Sequence, residues 1–543
     1  MASASTFKRR ALVALGTGTA AVLVLAGCAS GGNGGGGSGE SITVGTTDKV
    51  TFLDPAGSYD NGSFAVMNQI YPFLLNSKPG TADVEPDIAE SAEFTSPTEY
   101  TVKLKAGLKF ANGNDLTASD VKFSFDRQLA IADVNGPSTL LYNLDSTEAV
   151  DDTTVVFTLK SANDQIWQQI LSSPAGPIVD EDVFAADAVT SDQEIIDGEA
   201  FAGPFVISSY KFNELVQFKA YEGYEGVLGA PKTSTINLKY YADSSNLKLD
   251  VQEGNIDVAT RSLSATDISD LQGNDNVTVH TGPGGEIRYI VFNFNTQPFG
   301  ATTTEADPAK ALAVRQAVAD LIDREAIADQ VYKGTYLPLY SYVPAGLTGA
   351  NEALKGLYGD GNGGPDADKA AATLEAAGVT TPVALNLQYN PDHYGPSSGD
   401  EYALVKSQLE ADGLFAVNLQ STEWVTYAEE RSADAYPAYQ LGWFPDYSDA
   451  DNYLSPFFQT DNFLANHFSD PELDTLIPAQ AVETDPATRE GMIEDIQNKV
   501  AAQLSTLPFL QGAQVAVSGK DVSGVSDTLD ASFKFRFGVL SKG

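Results

Sequence analysis

The sequence predicts a mixed α/β body of at least two lobes. The hydrophobic period switches repeatedly between two and about 3.6, and the chain beyond its first forty residues is longer than one compact core usually serves. Single Gly, Pro, Asp and Asn residues punctuate the periodic segments. No repeat of solenoid or propeller type emerges, and no second long apolar stretch follows the first.

The first forty residues set the compartment. Lys8-Arg9-Arg10 precedes an uncharged, mostly apolar run, Ala11 to Ala26, that ends in Leu25-Ala26-Gly27-Cys28. The run is shorter than the ~20 residues that cross a bilayer and closes on small residues, so residues 1–27 are expected to be an export signal, not a transmembrane helix. Cys28 is the only cysteine, which excludes a disulfide within the chain. Its tetrapeptide resembles the lipobox of bacterial lipoproteins. That resemblance implies a diacylglycerol on the Cys28 sulfur and anchorage to the outer face of the cell membrane; the alternative is an ordinary secretory signal. Ala29 to Glu40 is nearly all Gly and Ser, a tether that at ~5–6 Å × √n spans roughly 20 Å.

Cleavage before Cys28 removes Lys8, Arg9 and Arg10 and takes the formal charge from −41 to −44. Such acidity argues against nucleic acid, which needs clustered Lys and Arg, and the dispersed carboxylates fit solubility rather than one ligand. Beyond Glu40, strand-like alternation marks Tyr100 to Leu104, Val155 to Leu159 and Ile236 to Tyr240. Helical periodicity marks Ser119 to Leu129, Pro308 to Leu321, Arg324 to Tyr332, Asp366 to Ala377, Asp400 to Leu409 and Asp485 to Leu504. Asp323 is placed to cap a helix start, and Gly334 and Gly378 to end helices in the left-handed region.

Several ordered blocks carry a family resemblance: Leu53-Asp54-Pro55, Pro86 to Arg127 with Tyr100 to Phe110 and Asp120 to Phe125, Gly203-Pro204-Phe205, Leu249 to Ala259, Val314 to Ala317 with Ile322-Asp323-Arg324, and Leu374 to Gly378. The chain resembles the extracellular solute-binding proteins of family 5, the peptide and nickel receptors of ABC importers. The resemblance implies a two-lobed periplasmic-binding-protein-like (Venus flytrap) fold of type II, cluster C, with mixed sheets and a two-strand hinge. One lobe is expected over about 41–283, with an inserted subdomain near 56–175, and a return at 508–543; the other over 284–507. Gly282-Pro283-Gly284-Gly285 fits the hinge, and fits an ordinary surface turn as well.

The implied role is a monomeric, non-enzymatic receptor without cofactor or bound metal, which hands an oligopeptide or dipeptide to a permease with cytoplasmic ATPases. Gly442-Trp443-Phe444-Pro445-Asp446-Tyr447 resembles the family block whose aspartate pairs with the peptide α-ammonium group, a charge-assisted bond made specific by flanking rings. Phe444 and Tyr447 supply those rings. Trp424 and Trp443 resemble tryptophans that bracket side-chain pockets, with core packing as the alternative, whereas Trp167 reads as core. Arg431 matches an arginine near the bound peptide, or is a solvated helix residue. Where many relatives have a proline, this chain has Asp449-Ala450-Asp451-Asn452, so the loop after Asp446 is expected to lose a fixed φ.

Other ligands within the receptor class are an oligosaccharide or a nickel or other metal chelate; His280, His393 and His467 lack metal-ligand spacing. From a different class, Gly395-Pro396-Ser397-Ser398-Gly399 satisfies the Gly-x-Ser-x-Gly pattern of a secreted serine hydrolase using Ser397. Asn390-Pro391-Asp392 and Pro396 oppose the strand-to-serine elbow that such chemistry requires.

Overall fold

The computed structural model describes residues 41–543 except Ser262, Asp392, Gly395 and Pro396. The export signal, Cys28 and its tether lie outside the described residues, as do Gly395 and Pro396 of the serine motif. Among the described residues, no helix is long and apolar enough to cross a membrane.

The periodic segments form the elements their patterns dictate. Helices run over Ala118–Ile131, Pro308–Leu321, Arg324–Gln330, Ala367–Ala376, Ser398–Glu410 and Pro486–Gln503. Asp323 accepts from Ala326 N–H at 2.8 Å, and Gly334 and Gly378 sit at φ +84° and +67°. Strands Glu99–Leu104, Thr154–Leu159 and Thr235–Tyr240 alternate buried residues with half-buried or exposed ones, the signature of a sheet with one face on a core.

One mixed sheet of eleven strands dominates. Its order is Phe415–Ser421, Val383–Tyr389, Ala438–Trp443, Val277–Phe292, Thr506–Gly519, Val258–Thr260, Ile42–Thr46, Thr235–Tyr240, Leu215–Ala220 and Phe205–Lys211, with Tyr336–Pro338 paired to the side of Thr506–Gly519. Val383–Tyr389 lies parallel to both its neighbours, and the crossovers between them carry the helices Ser398–Glu410 and Trp424–Ser432. A separate four-stranded antiparallel sheet holds Ala89–Ser96, Glu99–Leu104, Thr154–Leu159 and Leu144–Ala149.

The long strands Val277–Phe292 and Thr506–Gly519 pair antiparallel through the middle of the large sheet. Val258–Thr260 borders one half of this pair and Ala438–Trp443 the other. Gly282-Pro283-Gly284-Gly285 lies inside the first strand, where the register shifts between Pro283 and Ile287. The segment is therefore a strand irregularity and not a surface turn. Gly285 is required by contact, because a Cβ there would come within 2.7 Å of Pro445 Cγ.

The apolar side chains gather in separate clusters. One surrounds Tyr289, Val314, Leu385, Tyr439 and Leu507; another Ile42, Val66, Phe218 and Phe537; a third Tyr100, Phe125, Phe157 and Trp167. Trp167 is core, with its ring 5.3 Å from that of Phe157. Two of the resemblance blocks meet in a buried fork. Arg127 donates from Nη1 and Nη2 to the two Asp54 carboxylate oxygens at 2.9 and 2.5 Å, and Asp54 also accepts from Thr190 N–H at 2.6 Å.

Candidate functional site

A cleft lies between the segment Phe444–Ser448 and a wall built from residues 46–84, 169–174, 238–261 and 532–537. It has a chamber of about 360 Å³ and a second of about 310 Å³, which share Arg261, Phe444, Gln514 and Phe533. Cavities of this size suit small ligands.

The strand Ala438–Trp443 delivers the 444–448 segment to the cleft, and the short 3-10 helix Ala450–Tyr453 follows it. Asn452, 2% exposed, organises the turn. Its Oδ1 accepts from Trp443 Nε1–H and Asp446 N–H, each at 2.9 Å, and its Nδ2 donates to Asp446 Oδ2 at 3.2 Å. The other carboxylate oxygen, Oδ1, accepts from Tyr59 Oη at 2.5 Å across the cleft. Burial, then the charge of Asp446, hold the Tyr59 phenol far above its usual range, so it stays a donor. Among the described residues no cation pairs with Asp446.

The loop does not need the missing proline. Asp449 accepts from Asp451 N–H at 2.8 Å and is gripped by both Arg489 terminal nitrogens at 2.8 and 2.6 Å. Asp451 accepts from Ser455, Gln480 and Tyr447. Burial pushes its carboxyl up to about 6, with the Asp449 charge adding to the rise and the bond from Ser455 opposing it. Backbone order lost with one fixed φ is thus supplied by side chains.

The residues singled out by sequence occupy three kinds of place. Asp446, Phe444 and Tyr447 line the first chamber, with Phe444 46% exposed. Trp443 stands behind them, its ring edge-on to Phe457 and Phe463 at 5.0 and 5.8 Å. Trp424 begins the helix Trp424–Ser432 and stacks on His393 at 3.7 Å and near Tyr427 at 6.0 Å. Arg431 is buried, not solvated. Its Nη1 donates to the Leu464 and Phe463 carbonyls at 3.4 and 3.5 Å, and its guanidinium lies over the Phe463 ring. Neither Trp424, Trp443 nor Arg431 is among the side chains lining the two chambers.

Tyr59, Asn452 and Lys534 were not legible from sequence. Tyr59 and Lys534 act on residues hundreds of positions away. Asn452 instead serves Asp446 and Trp443, six and nine positions before it, inside a block whose sequence signals a turn but not which side chain braces it.

The second chamber carries a buried charged group. Arg288 contacts Glu286 at 3.3 Å and Glu401 at 3.2 Å and donates to Tyr332 and Tyr336 at 3.0 and 2.9 Å. Burial raises the Glu401 carboxyl above its ordinary range while Arg288 opposes the rise. Ser397 also lines this chamber, but the strand Val383–Tyr389 ends well before it, and the helix Ser398–Glu410 follows it. That is not a strand running directly into a nucleophile. His280 bonds Ser526 and Ser518, and His467 bonds Asp434. Among the described residues no three His, Cys, Asp or Glu side chains converge as a metal set.

Residues 83–464 match the family profile described as bacterial extracellular solute-binding proteins, family 5 middle. The glutathione-binding protein GsiB of Escherichia coli (strain K12) is 26% identical over 545 residues, covering 97% of this chain and 98% of that protein. Heme-binding protein A of Haemophilus influenzae is 25% identical over 491 residues, covering 85% of each. Among solved structures, the unliganded open form of MppA, a periplasmic murein tripeptide binding protein, superposes with a TM-score of 0.78 at 17% identity, covering 93% of this chain and 98% of that one. The fold is the α/β periplasmic-binding-protein fold of cluster C.

Proposed function

Because the chain belongs to the bacterial extracellular solute-binding proteins of family 5, and is thereby a non-enzymatic, extracytoplasmic substrate-binding protein of an ABC importer, we propose that its ligand is a peptide with a free amino terminus. The observation that carries this is Asp446. Its carboxylate faces the cleft without a cationic partner among the described residues, its backbone and one oxygen are fixed by Asn452, and its other oxygen is occupied by a hydroxyl from the opposite wall. An incoming ammonium group replaces a neutral donor with a charged one, and charge-assisted bonds are roughly twice as strong as neutral ones. Phe444 and Tyr447 line the same chamber beside it and offer ring faces to whatever binds there. That GsiB is a glutathione-binding protein agrees with a peptide ligand, since glutathione is itself a tripeptide; a heme-binding relative keeps other solutes in the field of test.

In this reading residues 41–283 and 508–543 form one lobe and 284–507 the other, and the paired strands Val277–Phe292 and Thr506–Gly519 are the hinge about which they close. Cys28 carries the lipid that keeps the receptor near its permease. Asp446→Asn, which keeps the shape and removes the charge, is expected to lower peptide affinity about 10- to 100-fold in calorimetry, the range for a hydrogen bond to a charged group. Equal affinity of the variant and the parent for free-amino peptides would sink the assignment.

A further inference from the structure

Among the described residues, five charged side chains line the first chamber: Asp48, Asp60, Arg261, Asp446 and Lys534. Three are accounted for within the protein. Arg261 pairs with Asp48 at 2.6 Å, and Asp60 caps the helix Asn61–Ile70 through Ser63 N–H at 2.8 Å while bonding the Ser63 and Thr51 hydroxyls. The remainder is one carboxylate, Asp446, and one ammonium, Lys534.

Lys534 is 6% exposed and held by neutral groups. Its Nζ donates to Ser172 Oγ at 2.5 Å and Asn76 Oδ1 at 3.3 Å and lies 5.5 Å from the centre of the Phe73 ring. The nearby carboxylates serve other partners. Asp530 sits 3.7 Å from Arg536 and accepts from Gly80 N–H and Ser532, and Asp87 accepts from Tyr224 Oη and Val227 N–H. Burial, and then the charge of Arg536, press the Lys534 ammonium below its usual range. A buried cation without a contacting anion is costly, and an anion brought to it recovers that cost. The groups around it suit such a guest: the Ser77 and Ser172 hydroxyls, which accept from Arg536 and Lys534 and keep their own protons to donate, and the Gln169 amide line the same chamber.

We infer that the Lys534 end of the chamber is a carboxylate-binding subsite, so that the cleft takes a short peptide as a zwitterion, with its amino group on Asp446 and a carboxylate on Lys534. This rests on the peptide reading of the cleft. The carboxylate is either the ligand's carboxyl terminus or an acidic side chain, and the two sources are separable by synthesis.

The test uses the full exported chain and randomised di- to tetrapeptide mixtures in four forms: free acid, C-terminal amide, N-acetylated free acid, and amide carrying Asp or Glu. Thermal shift ranks the mixtures, and calorimetry on the best members gives affinities. Free acids are expected to bind about 10- to 100-fold more tightly than their plain amides, and Lys534→Met to erase that difference by weakening the acids alone. If acidic-side-chain amides bind in a Lys534-dependent way, the subsite stands and its guest is the side chain. Equal binding of acids and plain amides by the parent protein, stabilisation by none of the mixtures, or an acid preference that survives Lys534→Met overturns the inference. Should Lys534→Met fail to fold, the acid-to-amide comparison on the parent protein decides. N-acetylated acids that bind as well as free-amino ones would remove the Asp446 role and leave the carboxylate subsite standing.

Discussion

Asn452→Ala tests whether the cleft carboxylate is positioned by its own loop. The substitution deletes three hydrogen bonds, from Trp443 Nε1, from Asp446 N–H and to Asp446 Oδ2. Each is worth about 1 kcal/mol net, and the half-buried positions of Trp443 and Asp446 let water repair part of the loss, so the cost in stability is about 2–3 kcal/mol. With about 2 cal/mol/K per residue of unfolding entropy, that lowers the melting temperature by roughly 2–3 °C for the whole body and about twice that if the half carrying Asn452 melts separately. The effect on binding is larger than stability alone implies, because the freed Asp446 must be reordered by each ligand at about 1 kcal/mol or more. An affinity loss of about 10-fold is therefore expected, measured by calorimetry with a peptide identified by native mass spectrometry of the protein from its host. Trp443→Phe removes only one of the three bonds and serves as the graded control. The reasoning is refuted if Asn452→Ala melts as expected but binds with parental affinity, for then Asp446 does not depend on that support.

Further outcomes follow from other parts of the fold. Arg127→Met leaves the buried Asp54 carboxylate without its fork, and calorimetric unfolding should show a loss of about 3–5 kcal/mol; parental stability would mean that the pair is not dry. Asp451 has a folded carboxyl raised from 3.8 to about 6, so its protonated form is the stabilising one. That contribution is complete below about pH 4 and is lost as pH rises through about 6, a swing of about 3 kcal/mol that Asp451→Asn should abolish in denaturant titrations at pH 4 and 7. Cys28→Ser is expected to move the protein from the detergent phase to the aqueous phase in cell fractionation, and retention with membranes would contradict lipid anchorage.

Local pattern made much of the architecture legible. Pro308–Leu321 is a helix because apolar residues recur at helical spacing behind a capping Asp307, and Asp323 caps the next one through its own side chain; both causes lie within a few residues. The Asp446 segment was found because a contiguous block carried it. What the sequence could not disclose is set by contacts between distant residues. The Tyr59 hydroxyl reaches a carboxylate 387 positions away, and Lys534 finds Ser172 across 362. The Gly282–Gly285 segment shows the same limit, since glycine and proline signal irregular backbone equally well in a turn and in the bulge of a long strand. Arg431 belongs here too: on a helix drawn by itself it looks solvated, and only the Phe463–Leu464 loop folded over it makes it buried.

A crystal structure of the protein with its co-purified or identified ligand tests the central claim most directly. The account predicts a ligand amine nitrogen about 3 Å from the Asp446 carboxylate, with the Tyr59 hydroxyl displaced or sharing it. A ligand bound elsewhere, with the Tyr59–Asp446 bond intact, would contradict it.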